Sequence, residues 1–119
     1  MEWRLLDSRP IWIQLHEQIT ERIISGMYPM GEKLPSVREL ASEAGVNPNT
    51  MQRALSQLDL EGLTETNRTS GRSVTKNGEM IERVRKKLAG EKIEVFLKGM
   101  AVLGFSKGNI IEFLRGEME

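Results

Sequence analysis

Two helix starts stand eleven residues apart near the middle of this chain, with a helix stop between them. Ser36-Val37-Arg38-Glu39 has the spacing of a capping box. The serine hydroxyl can accept from the Glu39 N–H, and the glutamate can reach back to the Ser36 N–H. Gly45 ends that helix early, because glycine tolerates the left-handed residue that follows a helix. Asn47-Pro48 then begins another: asparagine caps well, and proline at the first helical position gives up an N–H that had no partner anyway. A short helix, a tight turn and a second helix follow from these few residues.

Both helices have an apolar side. Val37, Leu40, Ala41 and Ala44 mark the inner face of the first, and Met51, Leu55 and Leu58 that of the second, with Ala54 small enough for a close neighbour. Val46 can plug the angle at the turn, so the pair has the dimensions of a helix-turn-helix. Asn49, Thr50, Gln52, Arg53 and Ser56 are left pointing outward, without a carboxylate among them. Asparagine and glutamine can pair two-point with adenine, and arginine with guanine. Upstream, Trp12, Leu15, Ile19 and Ile23 recur on one face of a helix expected from Pro10 to Ser25. Downstream, Leu63–Thr66 and Ser73–Thr75 are short β-prone runs around the polar loop from Asn67 to Arg72, which predicts a hairpin.

Charge bears on what such an outward face can meet. Seventeen Lys/Arg balance seventeen Asp/Glu, and residues 1–76 hold nine of the former and ten of the latter. Binding to phosphate therefore has to be local. No acidic residue lies from Ala44 to Leu58 or from Thr66 to Gly78, the windows that carry Arg53, Arg68, Arg72 and Lys76. The chain has no cysteine, which excludes disulfides, thiolate metal sites and cysteine nucleophiles. His16 is the sole histidine, so no zinc site is expected, and a packing or surface role suits it. No phosphate-cradling glycine loop and no serine with a base partner is found, so neither an enzyme nor a cofactor is expected. No apolar run reaches membrane-spanning length, and the first residues lack a signal pattern, which together point to the cytoplasm.

From Glu79 the pattern is helical again. Ile81, Val84 and Leu88 form one stripe, and Phe96, Met100 and Leu103 another about two turns on. One long helix from Gly78 to Leu103 joins them, with Gly90 costing about 1 kcal/mol against alanine; two helices hinged at Gly90 are the alternative. Ser106 caps a last helix carrying Ile110, Ile111, Phe113 and Leu114. That is more apolar surface than a free tail carries, and a partner subunit or the first helix would cover it.

The motif Gly31-x-x-Leu34-Pro35-Ser36-x-Arg38-x-Leu40-Ala41, followed by Gly45-Val46-Asn47-Pro48-Asn49-Thr50, Arg53-Ala54-Leu55 and Leu58-x-x-Glu61-Gly62-Leu63, resembles the GntR family of bacterial regulators. The resemblance runs from about Pro10 to Thr75. The short tail with Leu103-Gly104-Phe105-Ser106 is similar to the YtrA-type subfamily, whose C-terminal part is two helices. The resemblance implies DNA contact by Arg38, by Asn47, Asn49, Thr50, Gln52 and Arg53 at the start of the recognition helix, and by a wing around Ser70, Gly71 and Arg72. Two positions depart from the family pattern: Pro48 replaces a basic residue or serine, and the wing keeps one glycine of a Gly-x-Gly.

The fold expected is mainly α with a small β-hairpin wing: a winged helix-turn-helix over 9–77 and a helical dimerisation tail over 78–119. The function expected is a homodimeric, sequence-specific repressor on an inverted-repeat operator of double-stranded DNA. Its DNA surface is expected to comprise Ser36, Arg38, Asn47, Asn49, Thr50, Gln52, Arg53, Arg68, Ser70, Gly71 and Arg72. Its dimer surface is expected to comprise Ile81, Val84, Leu88, Phe96, Met100, Leu103, Ile110, Phe113 and Leu114. The competing reading is a winged helix used for protein interaction without DNA, which zero net charge favours. No small-molecule effector can be named.

Overall fold

The mid-chain helices form as their capping residues dictate. In the computed structural model, which describes Met1–Glu119, α1 spans Ile11–Ile24, α2 Val37–Ala44 and α3 Pro48–Glu61. Glu39 N donates to Ser36 Oγ at 3.1 Å, and Ser36 N to Glu39 Oε1 at 3.2 Å, which closes the capping box of α2. Gly45 ends α2 at φ +69°, where a side chain would be strained, and Val46 N then donates back to Ala41 O at 3.0 Å. Two residues later Asn47 Oδ1 accepts from Asn49 N at 2.7 Å and α3 begins.

The chain falls into two compact units, Met1–Glu82 and Arg83–Glu119. In the first, α3 is the central element, packed against α1, α2 and the strand β1 (Thr64–Asn67). Leu15, Ile19, Ile23, Leu40, Met51, Ala54, Leu55 and Leu58 are nearly inaccessible and make the core with Leu34, Leu63 and Val74. Burying each large aliphatic contributes about 1.5–3 kcal/mol. Trp12, which the periodicity put on the inner face of α1, is only half-buried.

β1 pairs antiparallel with β2 (Gly71–Val74), from Thr64 opposite Val74 to Asn67 opposite Gly71. The hairpin loop is thus Arg68–Ser70, shorter than the six polar residues expected. Asn67 shortens it: its Oδ1 accepts from Thr69 N at 3.0 Å and from Thr69 Oγ1 at 2.9 Å, a side-chain turn that starts the return strand early. The loop before α2 adds to the sheet. Lys33 bridges Ser73, Leu34 N donates to Arg72 O at 2.8 Å, and Val74 N to Glu32 O at 2.9 Å.

The first nine residues carry no apolar period, yet they are tied along α1. Gln14 is 2% exposed and takes both backbone groups of Leu6: Leu6 N donates to its Oε1 and its Nε2 donates to Leu6 O, each at 2.7 Å, with a further bond to Arg9 O at 2.9 Å. One turn on, Gln18 does the same for Arg4. Arg22, 2% exposed, lies 3.8 Å from the centre of the Trp3 ring and donates to Tyr28 Oη and Met1 O. Gln14→Ala should cost about 2 kcal/mol, since Leu6 loses both partners. Urea midpoints would register the loss, and trypsin should cut faster after Arg4.

The tail helix is unbroken. α4 spans Gly78–Val102, straight through Gly90, and contains no buried residue. Each interior glycine, Gly90 and Gly99, costs about 1 kcal/mol, too little to stop a helix of 25 residues. α5 (Lys107–Met118) starts on a second capping box, Ser106 with Asn109. Phe105 and Phe113 meet edge to face, 5.7 Å between centres. No helix is long and apolar enough to cross a membrane.

Candidate nucleic-acid interface

The outward face of α3 divides into two stripes. Asn49, Gln52 and Ser56 are exposed and recur at helical spacing, with Gln52 Nε2 donating to Ser56 Oγ at 3.0 Å. Arg53, Gln57 and Glu61 form the neighbouring stripe, which turns toward α1. There His16 Nε2 meets Glu61 Oε1 at 2.6 Å, Gln57 Nε2 donates to Glu61 Oε2 at 3.3 Å, and the Arg53 guanidinium lies 4.2 Å from the centre of the Trp12 ring. The first stripe offers amides and a hydroxyl free of any carboxylate, the donor–acceptor groups that read base edges. Thr50 is half-exposed beside it.

At the head of α2, Ser36 and Arg38 are exposed. The Ser36 hydroxyl is occupied as an acceptor by the cap and keeps its own proton to donate. Arg38 has no acidic partner. Asn47 is exposed, but its oxygen is committed to Asn49 N.

The wing is where the structure departs from the sequence reading. Arg72 was expected to be free of acids, because none lies near it in the chain. Asp59 of α3 reaches it instead: Arg72 Nε sits 3.1 Å from Oδ1, Nη2 sits 3.0 Å from Oδ2, and the Arg72 side chain is only 12% exposed. Thr64 and Thr66 donate to the same carboxylate. Burial pushes the Asp59 carboxyl up, but the hydrogen bonds from Arg72, Thr64 and Thr66 and the Arg72 charge outweigh it and hold it below its ordinary value. Arg72 is therefore a clasp between wing and recognition helix, its charge neutralised. Arg68 and Ser70 stay exposed at the tip.

Lys33 joins the wing, and sequence reasoning missed it. Its Cε would lie 3.1 Å from a Cβ built on Gly71, so the lysine stem crosses the wing at its glycine. Gly71 also sits at φ +85°, where a larger residue would be strained. The signal for Lys33 was absent locally, because its pairing with Ser73 spans forty residues.

The tail residues separate too. Leu103 is 71% exposed, Phe113 50%, Phe96 40% and Leu114 38%, while Met100, Ile81, Val84 and Leu88 are partly covered. Ile110 is 4% exposed in the single chain. It is therefore far less accessible in the isolated chain than the other expected dimer residues.

Similarity to known proteins gives this arrangement its frame. The model of the gntR family of bacterial regulatory proteins matches residues 13–74. The HTH-type transcriptional regulator YhcF of Bacillus subtilis is 36% identical over 115 residues, 97% of this chain and 95% of that one. A GntR family transcriptional regulator from Listeria monocytogenes superposes with TM-score 0.85 at 37% identity, covering 94% of this chain and 98% of that one. The transcriptional repressor YtrA of Bacillus subtilis is 43% identical over 70 residues, 59% of this chain and 54% of that protein, so the likeness spans about half of YtrA. With its capped helix pair, its hairpin wing and these relatives, the chain belongs to the gntR family of bacterial regulatory proteins and is a DNA-binding transcription regulator.

Proposed function

We propose that the protein is a cytoplasmic homodimeric repressor that binds an inverted-repeat operator. The observation that carries this reading is the carboxylate-free outer stripe of α3, presented by a helix capped at both ends. Asn49, Gln52 and Ser56 are its base readers. Ser36, Arg38, Asn47 and Thr50 hold the backbone beside them, and Arg68, Ser70, Gly71 and Lys33 form the wing contact. Arg72 serves by keeping the wing in place. Residues 9–77 act as the DNA-binding part and 78–119 as the dimerisation tail.

Likeness to YtrA, named as a repressor, supports repression over activation. The tail supports dimerisation, because α4 has no buried residue, Phe96 and Val102 stand exposed along it and Leu103 just after it. Two copies would set their recognition helices in successive major grooves, about 34 Å apart. A footprint on the upstream region of its own gene should reveal two protected half-sites centred about ten base pairs apart. On that operator Gln52→Ala should reduce discrimination against a base change in one half-site by about tenfold, with binding to random duplex unaltered. Absence of a salt-sensitive footprint anywhere in that region would remove the repressor reading.

A further inference from the structure

Arg53 and Trp12 form a contact that the base-reading stripe does not use. Arg53 sits one position after Gln52, so its side chain leaves the helix about 100° away from that stripe, on the flank that faces α1. An arginine on a helix flank is commonly neutralised by a carboxylate. Elsewhere in this chain Arg9, just before α1, has Glu17, and Arg72, on β2, has Asp59. Arg53 makes no ion pair with a carboxylate, and its guanidinium makes no hydrogen bond. It has an indole face instead.

We infer that Trp12 is a positioning residue: it holds the Arg53 guanidinium flat beside the recognition helix to clamp a DNA phosphate. The inference rests on the DNA-binding reading above. Stacking on an aromatic ring orients a guanidinium without neutralising it and leaves the N–H donors around its rim free, in the planar fork that suits two phosphate oxygens. Position on the flank rather than the outer stripe assigns Arg53 to the backbone rather than to a base edge. Stacking also removes part of the rotamer freedom that a long side chain would otherwise lose on binding. In a domain without net positive charge, orienting the few unneutralised arginines substitutes for having more of them.

The test uses the full chain and a fluorescein-labelled random-sequence duplex of thirty base pairs, with anisotropy titrations at several salt concentrations. Trp12→Leu should weaken binding about three- to fivefold, and Trp12→Phe, which keeps an aromatic face, by less. Arg53→Ala should weaken it at least as much and reduce the salt slope by about 0.9. The deciding readout is the double variant: Trp12→Leu should cost nothing further once Arg53 is alanine. Thermal melts verify that each variant is folded, and Arg53→Ala, at an exposed position, leaves the core intact. The inference is overturned if Trp12→Leu costs the same with Arg53 absent, or if neither variant changes affinity. It is also overturned if Arg53→Ala alters discrimination between operator and mutated operator while leaving random-duplex binding as it was. A wild-type chain that binds no duplex at any salt would overturn the DNA-binding reading itself, and this inference with it.

Discussion

Replacing Phe96 and Leu103 together by glutamate should turn the proposed dimer into a monomer and weaken operator binding about a hundredfold or more. Both side chains are exposed in the single chain, at 40% and 71%, so the isolated fold loses little when they become charged. The assembled tail loses a great deal, since two carboxylates per subunit would be taken out of water without partners. The operator effect follows from linkage of two half-sites. A dimer binds its second half-site at an effective concentration set by its own geometry, which raises affinity about 10²- to 10⁴-fold over one half. Phe113 is a poorer probe, because it also stacks on Phe105 of the same chain. Sedimentation equilibrium gives the first result directly, since a monomer has half the dimer mass, and a gel-shift titration gives the second. A variant that stays dimeric and binds as before would take the tail out of the interface.

The second large effect is expected at Asp59. Asp59→Ala removes the partner of an arginine whose side chain is 12% exposed, and leaves Thr64 and Thr66 without their acceptor. Loss of about 2–3 kcal/mol of stability is expected, because a largely covered guanidinium is left unpaired. DNA binding should fall as well, since the hairpin is no longer tied to the recognition helix through that clasp. The pH dependence has a definite sign. The Asp59 carboxyl is held below its ordinary value in the folded protein, so its contribution is fully present above the ordinary carboxylate range and disappears as pH falls through the lowered value. Wild-type protein should therefore lose stability from about pH 4 downwards by a component that Asp59→Asn lacks. Urea unfolding of the two proteins at pH 7 and pH 3 measures it. Parallel losses in both would mean that Asp59 carries no special share of the acid sensitivity.

These expectations depend unequally on what could be read from the chain. Helix limits were legible because they are set within four residues. Ser36 with Glu39, Asn47 with Pro48, and Gly45 each satisfy or release backbone groups next to them. The core was legible because its side chains repeat with the helical period. The wing was legible as a hairpin but not in its register, because the Asn67 side-chain turn closes the loop earlier than composition suggests. The docking of the first nine residues along α1 was not legible at all. Gln14 and Gln18 read as ordinary polar positions on a helix, and nothing local says that residues 4 and 6 will lie beside them.

By itself, then, the amino-acid sequence determined a helix-turn-helix with a hairpin after it, the polar outer stripe of α3, and a tail with more apolar surface than one chain covers. Tertiary structure decided what three of its cations meet. Arg72 is neutralised by a carboxylate thirteen residues away, Arg53 is oriented by an indole forty-one residues away, and Lys33 reaches the wing tip from the loop before α2. The physical reason is range. Caps and periods are satisfied by neighbours along the chain, whereas a charge is set by whatever packing brings within about 4 Å, and Coulomb attraction takes no account of sequence distance.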